Sequence, residues 1–151
     1  MKFIEIEPKN SFESNNPKIE KLYPQFVKIL EELNKREVPQ EIVEIINKEI
    51  QKINETKDEV LALRKQIMKS QLVILNIVEK KMKLVTKNYY KNLWLTLGMT
   101  VFGLPFGVVF AFALDNMAFI AIGLPIGMAI GLGAGSQMDK KAEKEGRMLN
   151  I

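Results

Sequence analysis

A chain of 151 residues with 47% hydrophobic residues, 26% charged residues and a net charge of +4 has the average composition of a soluble domain. The complete lack of cysteine and histidine excludes disulfides, thiolate nucleophiles, zinc sites and histidine acid–base pairs. The basic residues form no stripe interleaved with aromatics, so nucleic acid is not an expected partner.

Residues 1–8 are too short and too charged for the apolar core of a signal peptide. Phe3, Ile4 and Ile6 are mixed with Glu5 and Glu7, and residues 10–16 are polar, so residues 1–15 read as an arm, either extended or flexible. Residues 16–91 read as a helical region of about three helices. Either Pro17 or Pro24 opens the first, since proline is favoured at the first helical position. Phe26, Ile29, Leu30 and Leu33 give that helix one apolar face up to about Arg36. Val38-Pro39 ends it and starts a second, with Ile42, Ile45, Ile46, Ile50 and Ile53 on one side.

Thr56 and Glu59 have the spacing of a capping box, so a third helix starts near Lys57 unless the second continues through this point. From Val60 onward, Ile67, Met68, Leu72, Ile74, Leu75, Val78, Met82 and Val85 keep helical spacing over a face wider than a narrow seam. The third helix is therefore expected to run straight into the apolar segment that follows. Lys57, Arg64, Gln71 and Lys81 interrupt the heptad seam, which favours a helical bundle over a long two-stranded coiled coil.

Residues 92–138 are of a different kind, because the stretch 93–138 holds a single charged residue, Asp115. Residues 93–114 and 117–138 each just exceed the ~20 apolar residues that cross a hydrocarbon core of ~30 Å as a helix. Only Asp115 and Asn116 separate them, so the spans return antiparallel through a tight turn. The expected fold is an all-α membrane protein, a cytoplasmic helical bundle or stalk followed by an antiparallel two-helix transmembrane hairpin. Residues 139–151 then form a charged cytoplasmic tail.

Lys80, Lys81, Lys83, Lys87 and Lys91 precede the first span, and Lys140, Lys141, Lys144 and Arg147 follow the second. By the positive-inside rule both termini face the cytoplasm. Lys87, Lys91, Lys140 and Lys141 are placed to meet anionic lipid headgroups. Tyr89, Tyr90 and Trp94 are placed to anchor at the interface.

Within the spans, Gly123, Gly127, Gly131 and Gly135 recur every four residues, and Gly103, Gly107 and Ala111 offer a counterpart stripe. Small residues so spaced let helix backbones approach closely in lipid. Gly103-Leu104-Pro105-Phe106-Gly107 is echoed by Gly123-Leu124-Pro125-Ile126-Gly127. At ~1.5 Å per residue, Pro105 and Pro125 both lie roughly 14–15 Å from the turn. Each frees a carbonyl one turn earlier, those of Val101 and Ala121. Matched kinks around the glycine contact are one outcome, and broken-helix geometry around an ion or solute is the other. Without an ionisable group inside either span there is no proton relay, and Thr96, Thr100 and Ser136 have no adjacent base.

From Tyr23 to Arg147, and most specifically from Asn92, the chain resembles uncharacterised small bacterial two-span membrane proteins. Those proteins pair a lysine- and glutamate-rich helical region with a Gly-Leu-Pro-x-Gly glycine-zipper hairpin and a tail of the form Asp139-Lys140-Lys141-Ala142-Glu143-Lys144-Glu145-Gly146-Arg147. The resemblance implies a bacterial inner-membrane location and no particular activity. Two functions stay open, both non-enzymatic and without cofactor or metal. One is a self-associating membrane anchor or scaffold whose cytoplasmic helices bind a protein partner. The other is a small homo-oligomeric channel or pore, for which only Thr96, Thr100, Ser136 and Gln137 offer polar lining.

Overall fold

The computed structural model describes residues 3–12 and 16–151, so residues 1, 2 and 13–15 of the expected arm lie outside the described part. The chain divides into two units, Met1–Leu84 with Leu149–Ile151, and Val85–Met148. Its described residues are all-α apart from two strands of two residues each.

The first unit contains α1 (Pro17–Asn34), α2 (Gln40–Asn54) and α3 (Val60–Met82). Pro17 opens α1, where a missing N–H costs nothing, and Pro24 lies inside the helix. Phe26, Ile29, Leu30 and Leu33 of α1 and Ile42, Val43, Ile46, Ile50 and Ile53 of α2 are all buried, and both helices pack against α3 in one core. On α2 it is Val43, and not Ile45, that completes the buried face.

Three expectations for this unit are corrected. The capping box does not form: the Thr56 hydroxyl donates back to the Lys52 carbonyl, and Glu59 is the N-cap of α3 without a side-chain bond. The apolar face of α3 is narrower than its sequence indicates, with Leu63, Ile67, Ser70, Ile74 and Val78 buried and Met68 and Leu72 exposed. Nor does α3 continue into the next helix. Lys83 turns left-handed at φ 56°, its N–H bonding the Glu79 carbonyl, and Asn88 is left-handed again at φ 60°. Between them lies β1 (Val85–Thr86), whose β-branched residues favour extended backbone.

Ser70 marks a polar clamp between α2 and α3. Its hydroxyl donates to the buried Glu49 carboxylate at 2.9 Å and accepts from Gln66 at 3.0 Å, and Lys52 also reaches Glu49. A buried carboxylate needs such partners, because leaving it bare costs far more than each bond contributes.

The described part of the arm is docked. Residues 4–9 lie without regular structure and lead into a single 3₁₀ turn, Asn10–Phe12. Their backbone is held by side chains of α2 and the segment after it. Ile4 N–H donates to Asn47 at 2.9 Å, and Glu7 N–H to Asn54 at 3.0 Å. Asn54 in turn donates to the Glu5 carbonyl at 3.1 Å. Asn10 and Ser11 N–H both donate to Asp58 at 3.0 Å. Phe3 is buried in the core, and Phe12 stacks on Tyr23 with ring centroids 4.1 Å apart.

The C-terminal residues are likewise part of this unit and not a free tail. Leu149 is fully buried, and the Glu32 carboxylate accepts from Lys35 and from the Asn150 backbone.

Hydrogen bonds from Ser11 hold the Asp58 carboxyl below its ordinary value, with smaller help from Asn10 and Lys9. Lys35 does the same for Glu32, against the opposing effect of burial. Folding therefore releases protons from these groups, so their contribution is complete above the ordinary carboxyl range of roughly 4 and is lost as pH falls through the lower folded values. Amide exchange at Asn10 and Ser11, corrected for intrinsic rate, is expected to quicken on acidification through this range, and in Asp58→Ala already at neutral pH. Equal protection in both cases would contradict the hold of Asp58 on the arm.

Candidate functional site: a glycine-packed helix pair

The second unit is built from two long helical segments. The first comprises α4 (Tyr89–Leu97), a π-helical turn (Gly98–Gly103) and α5 (Leu104–Ala113). The second comprises a 3₁₀ turn (Met117–Phe119) and α6 (Ile120–Lys144). Both are long and apolar enough to cross a membrane.

The chain reverses between them by two linked devices. Asp115 is left-handed at φ 46° and its backbone N–H donates to the Phe112 carbonyl at 3.4 Å, while Asn116 N–H reaches the Ala111 carbonyl at 3.0 Å. This pair of bonds is a Schellman closure with Asp in place of the usual Gly. Asn116 then caps the second segment, its side chain accepting from Ala118 N–H at 2.9 Å.

At the glycines the two backbones touch, in antiparallel order. A Cβ on Gly135 would lie 2.6 Å from Lys91 Cα, and one on Gly131 would collide with the Trp94 carbonyl. Further along, a Cβ on Gly127 would strike the Gly98 carbonyl, one on Gly123 the Gly103 carbonyl, and one on Gly107 the Ile120 carbonyl. A Cβ on Gly103 itself would stand 3.1 Å from the Gly123 carbonyl oxygen. Ala111 is buried on the same face. Gly133 meets nothing within 4 Å.

Gly98 belongs to this contact although its spacing hides it. Four α-helical residues turn about 400°, close to one face, but the five from Gly98 to Gly103 turn about 500° and would carry Gly98 roughly 140° away. The π turn takes up the extra residue: Leu104 N–H bonds the Met99 carbonyl, five residues back. Pro105, which has no N–H, directly follows this turn. The two prolines are consequently not equivalent, since α6 continues as regular helix through Pro125.

Asp139 is the second residue that sequence reasoning missed. It extends the series Gly123, Gly127, Gly131, Gly135 by one more step of four, and it is buried. Its carboxylate accepts from Tyr90 N–H and Lys91 N–H, both at 3.0 Å. Asn88, the residue in the N-cap position of α4, makes no side-chain cap bond, so Asp139 caps that helix from the other segment.

The expected tail is thus helical as far as Lys144. Gly146 ends α6 at φ 68°, bonding the Glu143 carbonyl at 3.0 Å while Arg147 N–H bonds that of Ala142 at 2.8 Å. Val85 N–H donates to the Arg147 carbonyl at 3.0 Å where β1 pairs with β2 (Met148–Leu149).

The remaining predicted residues are distributed around this pair. Tyr89 and Tyr90 contact edge to face with centroids 5.2 Å apart. Lys87, Lys91 and Lys140 line a recess of about 240 Å³, together with the acidic Asp139 and Glu143. Lys141 lies 3.9 Å from Glu145. Thr96 and Thr100 donate to the carbonyls four residues earlier, at 3.2 and 3.0 Å. Among the described residues no cluster of carboxylates could hold a metal ion.

No family model matches the chain, and neither curated proteins nor solved structures yield a match.

Two substitutions separate the contact from helix propensity. Gly127→Ala is expected to destabilise the helix pair by about 1–3 kcal/mol or more through overpacking. Gly133→Ala is expected to be neutral or slightly stabilising, since it gains helix propensity and meets only open space. Thermal unfolding in detergent checks both, and equal effects would contradict the backbone contact. By the same assay Asp139→Ala should cost about 1–2 kcal/mol, the value of a lost helix cap.

Proposed function

We propose that this protein is a membrane anchor: residues 93–138 form a transmembrane hairpin, and α1–α3 form a cytoplasmic module that binds a protein partner. The observation that carries the reading is how the helix pair divides its residues. Glycines face inward, while Val101, Phe106, Val109, Phe112 and Ile122 stay exposed, Phe112 at 73%. In their most apolar 18-residue stretches the two segments are only 22% and 17% buried, whereas a core helix of a soluble protein is mostly buried. Apolar surface on this scale is stable in hydrocarbon, and helices satisfy their own backbone groups there.

The lysines that flank both spans support a cytoplasmic position for both termini, with Asp115 and Asn116 outside. Lys87, Lys91, Lys140 and Lys141 then sit at the headgroup level of the inner leaflet. The bacterial inner membrane is the compartment that the family resemblance favours.

Self-association, as an expectation, rests on the glycine stripes, and these are covered by the chain's own backbone. The anchor therefore needs no second copy to bury them. Thr96 and Thr100 spend their hydroxyls on their own helix, which removes donors that a pore would use.

Because the chain has no cysteine, topology can be read without background. Asn116→Cys is expected to react with an impermeant thiol reagent in intact cells, and Lys141→Cys only after permeabilisation. The reverse pattern, or labelling of both, would contradict the proposed hairpin.

A further inference from the structure

We infer that the groove between the arm and α1 is a docking site for an apolar peptide segment carrying a lysine or arginine. This rests on the reading of α1–α3 as an interaction module, and it gives that module's partner a chemistry. The groove has a volume of about 280 Å³, and its floor includes Ile4 and Ile6 of the arm and Val27 and Leu30 of α1. This is near the lower end of the ~300–1,000 Å³ range of ligand pockets, enough for one or two side chains.

Its polar wall is one-sided. Glu5, Glu31 and Asn34 line the groove, and no lysine or arginine among the described residues does. Neither Glu5 nor Glu31 forms an ion pair with a described residue. Among the described residues the groove lining thus offers acceptors and apolar carbon but no lysine or arginine, and Lys35 acts on Glu31 only from outside that lining. A lysine or arginine complements it on both counts, since its methylenes can lie on the apolar floor while its charged head reaches the carboxylates.

The wall formed by the arm is set in advance. Asn47 and Asn54 bind the arm through its backbone, at Ile4, Glu5 and Glu7, and not through the side chains that line the groove. Docking therefore carries little ordering cost on this side.

The test is methyl NMR on the full chain in phosphatidylcholine nanodiscs, whose zwitterionic surface does not recruit cations. The probes are acetyl-Leu-Lys-Leu-Leu-amide and its counterpart acetyl-Leu-Glu-Leu-Leu-amide. The lysine peptide is expected to shift the methyls of Ile4, Ile6, Val27 and Leu30 and to bind at least tenfold more tightly than the glutamate peptide. The double variant Glu5→Gln/Glu31→Gln, with an otherwise unchanged methyl spectrum, is expected to lose that preference. Equal responses to both peptides, shifts confined to other methyls, or no response at concentrations on the order of 1 mM would overturn the site. Cysteine labelling tests the membrane reading separately, so a failed titration with correct labelling removes the groove alone.

Discussion

The second unit depends on one constraint, that two helix backbones touch where no side chain intervenes. At Gly123, Gly127, Gly131 and Gly135 any Cβ would meet a backbone atom of the opposite segment. The approach has to be held along its whole length, and the chain uses a different device at each position. Asp115 and Asn116 close one end by left-handed backbone and a cap. Asp139 ties the other end to the first turn of α4. Between them the π turn before Pro105 brings Gly98 onto the shared face. Close backbone contact needs all three, because a helix that drifted off register by one residue would present a side chain where only hydrogen fits.

The same contact decides what faces outward. With the glycine stripe turned toward the opposite segment, many of the phenylalanines and branched aliphatics are left exposed among the described residues. In lipid that is the favourable arrangement, since packing there depends on close van der Waals approach and not on hiding apolar surface from water. The first unit follows the opposite rule. Its core isoleucines, such as Ile46, Ile50, Ile67 and Ile74, are fully buried, and its buried Glu49 and Ser70 are paired across helices.

Periodicity revealed much of this in advance. Three amphipathic helices, two apolar spans and the four-residue glycine series could all be read from spacing, because each depends on residue type at a fixed interval. What stayed hidden depends on local backbone or on distant partners. The break between α3 and α4 needs two left-handed residues, and Lys83 is not a residue type that announces one. Gly98 sits one residue out of step with the stripe and is visible only once the π turn is known. Asp139 looks like the first residue of a charged tail, although its position four after Gly135 is the one available hint. Asn47, Asn54 and Asp58 carry no periodic signal, and their partners lie more than forty residues earlier in the arm.

The central claim is that the glycine contact forms within one chain. The most direct measurement is solid-state NMR of the glycine-labelled protein in lipid bilayers, comparing fully labelled samples with samples diluted in unlabelled chain. Cross-peaks between Gly103 and Gly123 and between Gly98 and Gly127 should keep their full relative intensity on dilution. Their loss in proportion to dilution would place the contact between copies and contradict the account.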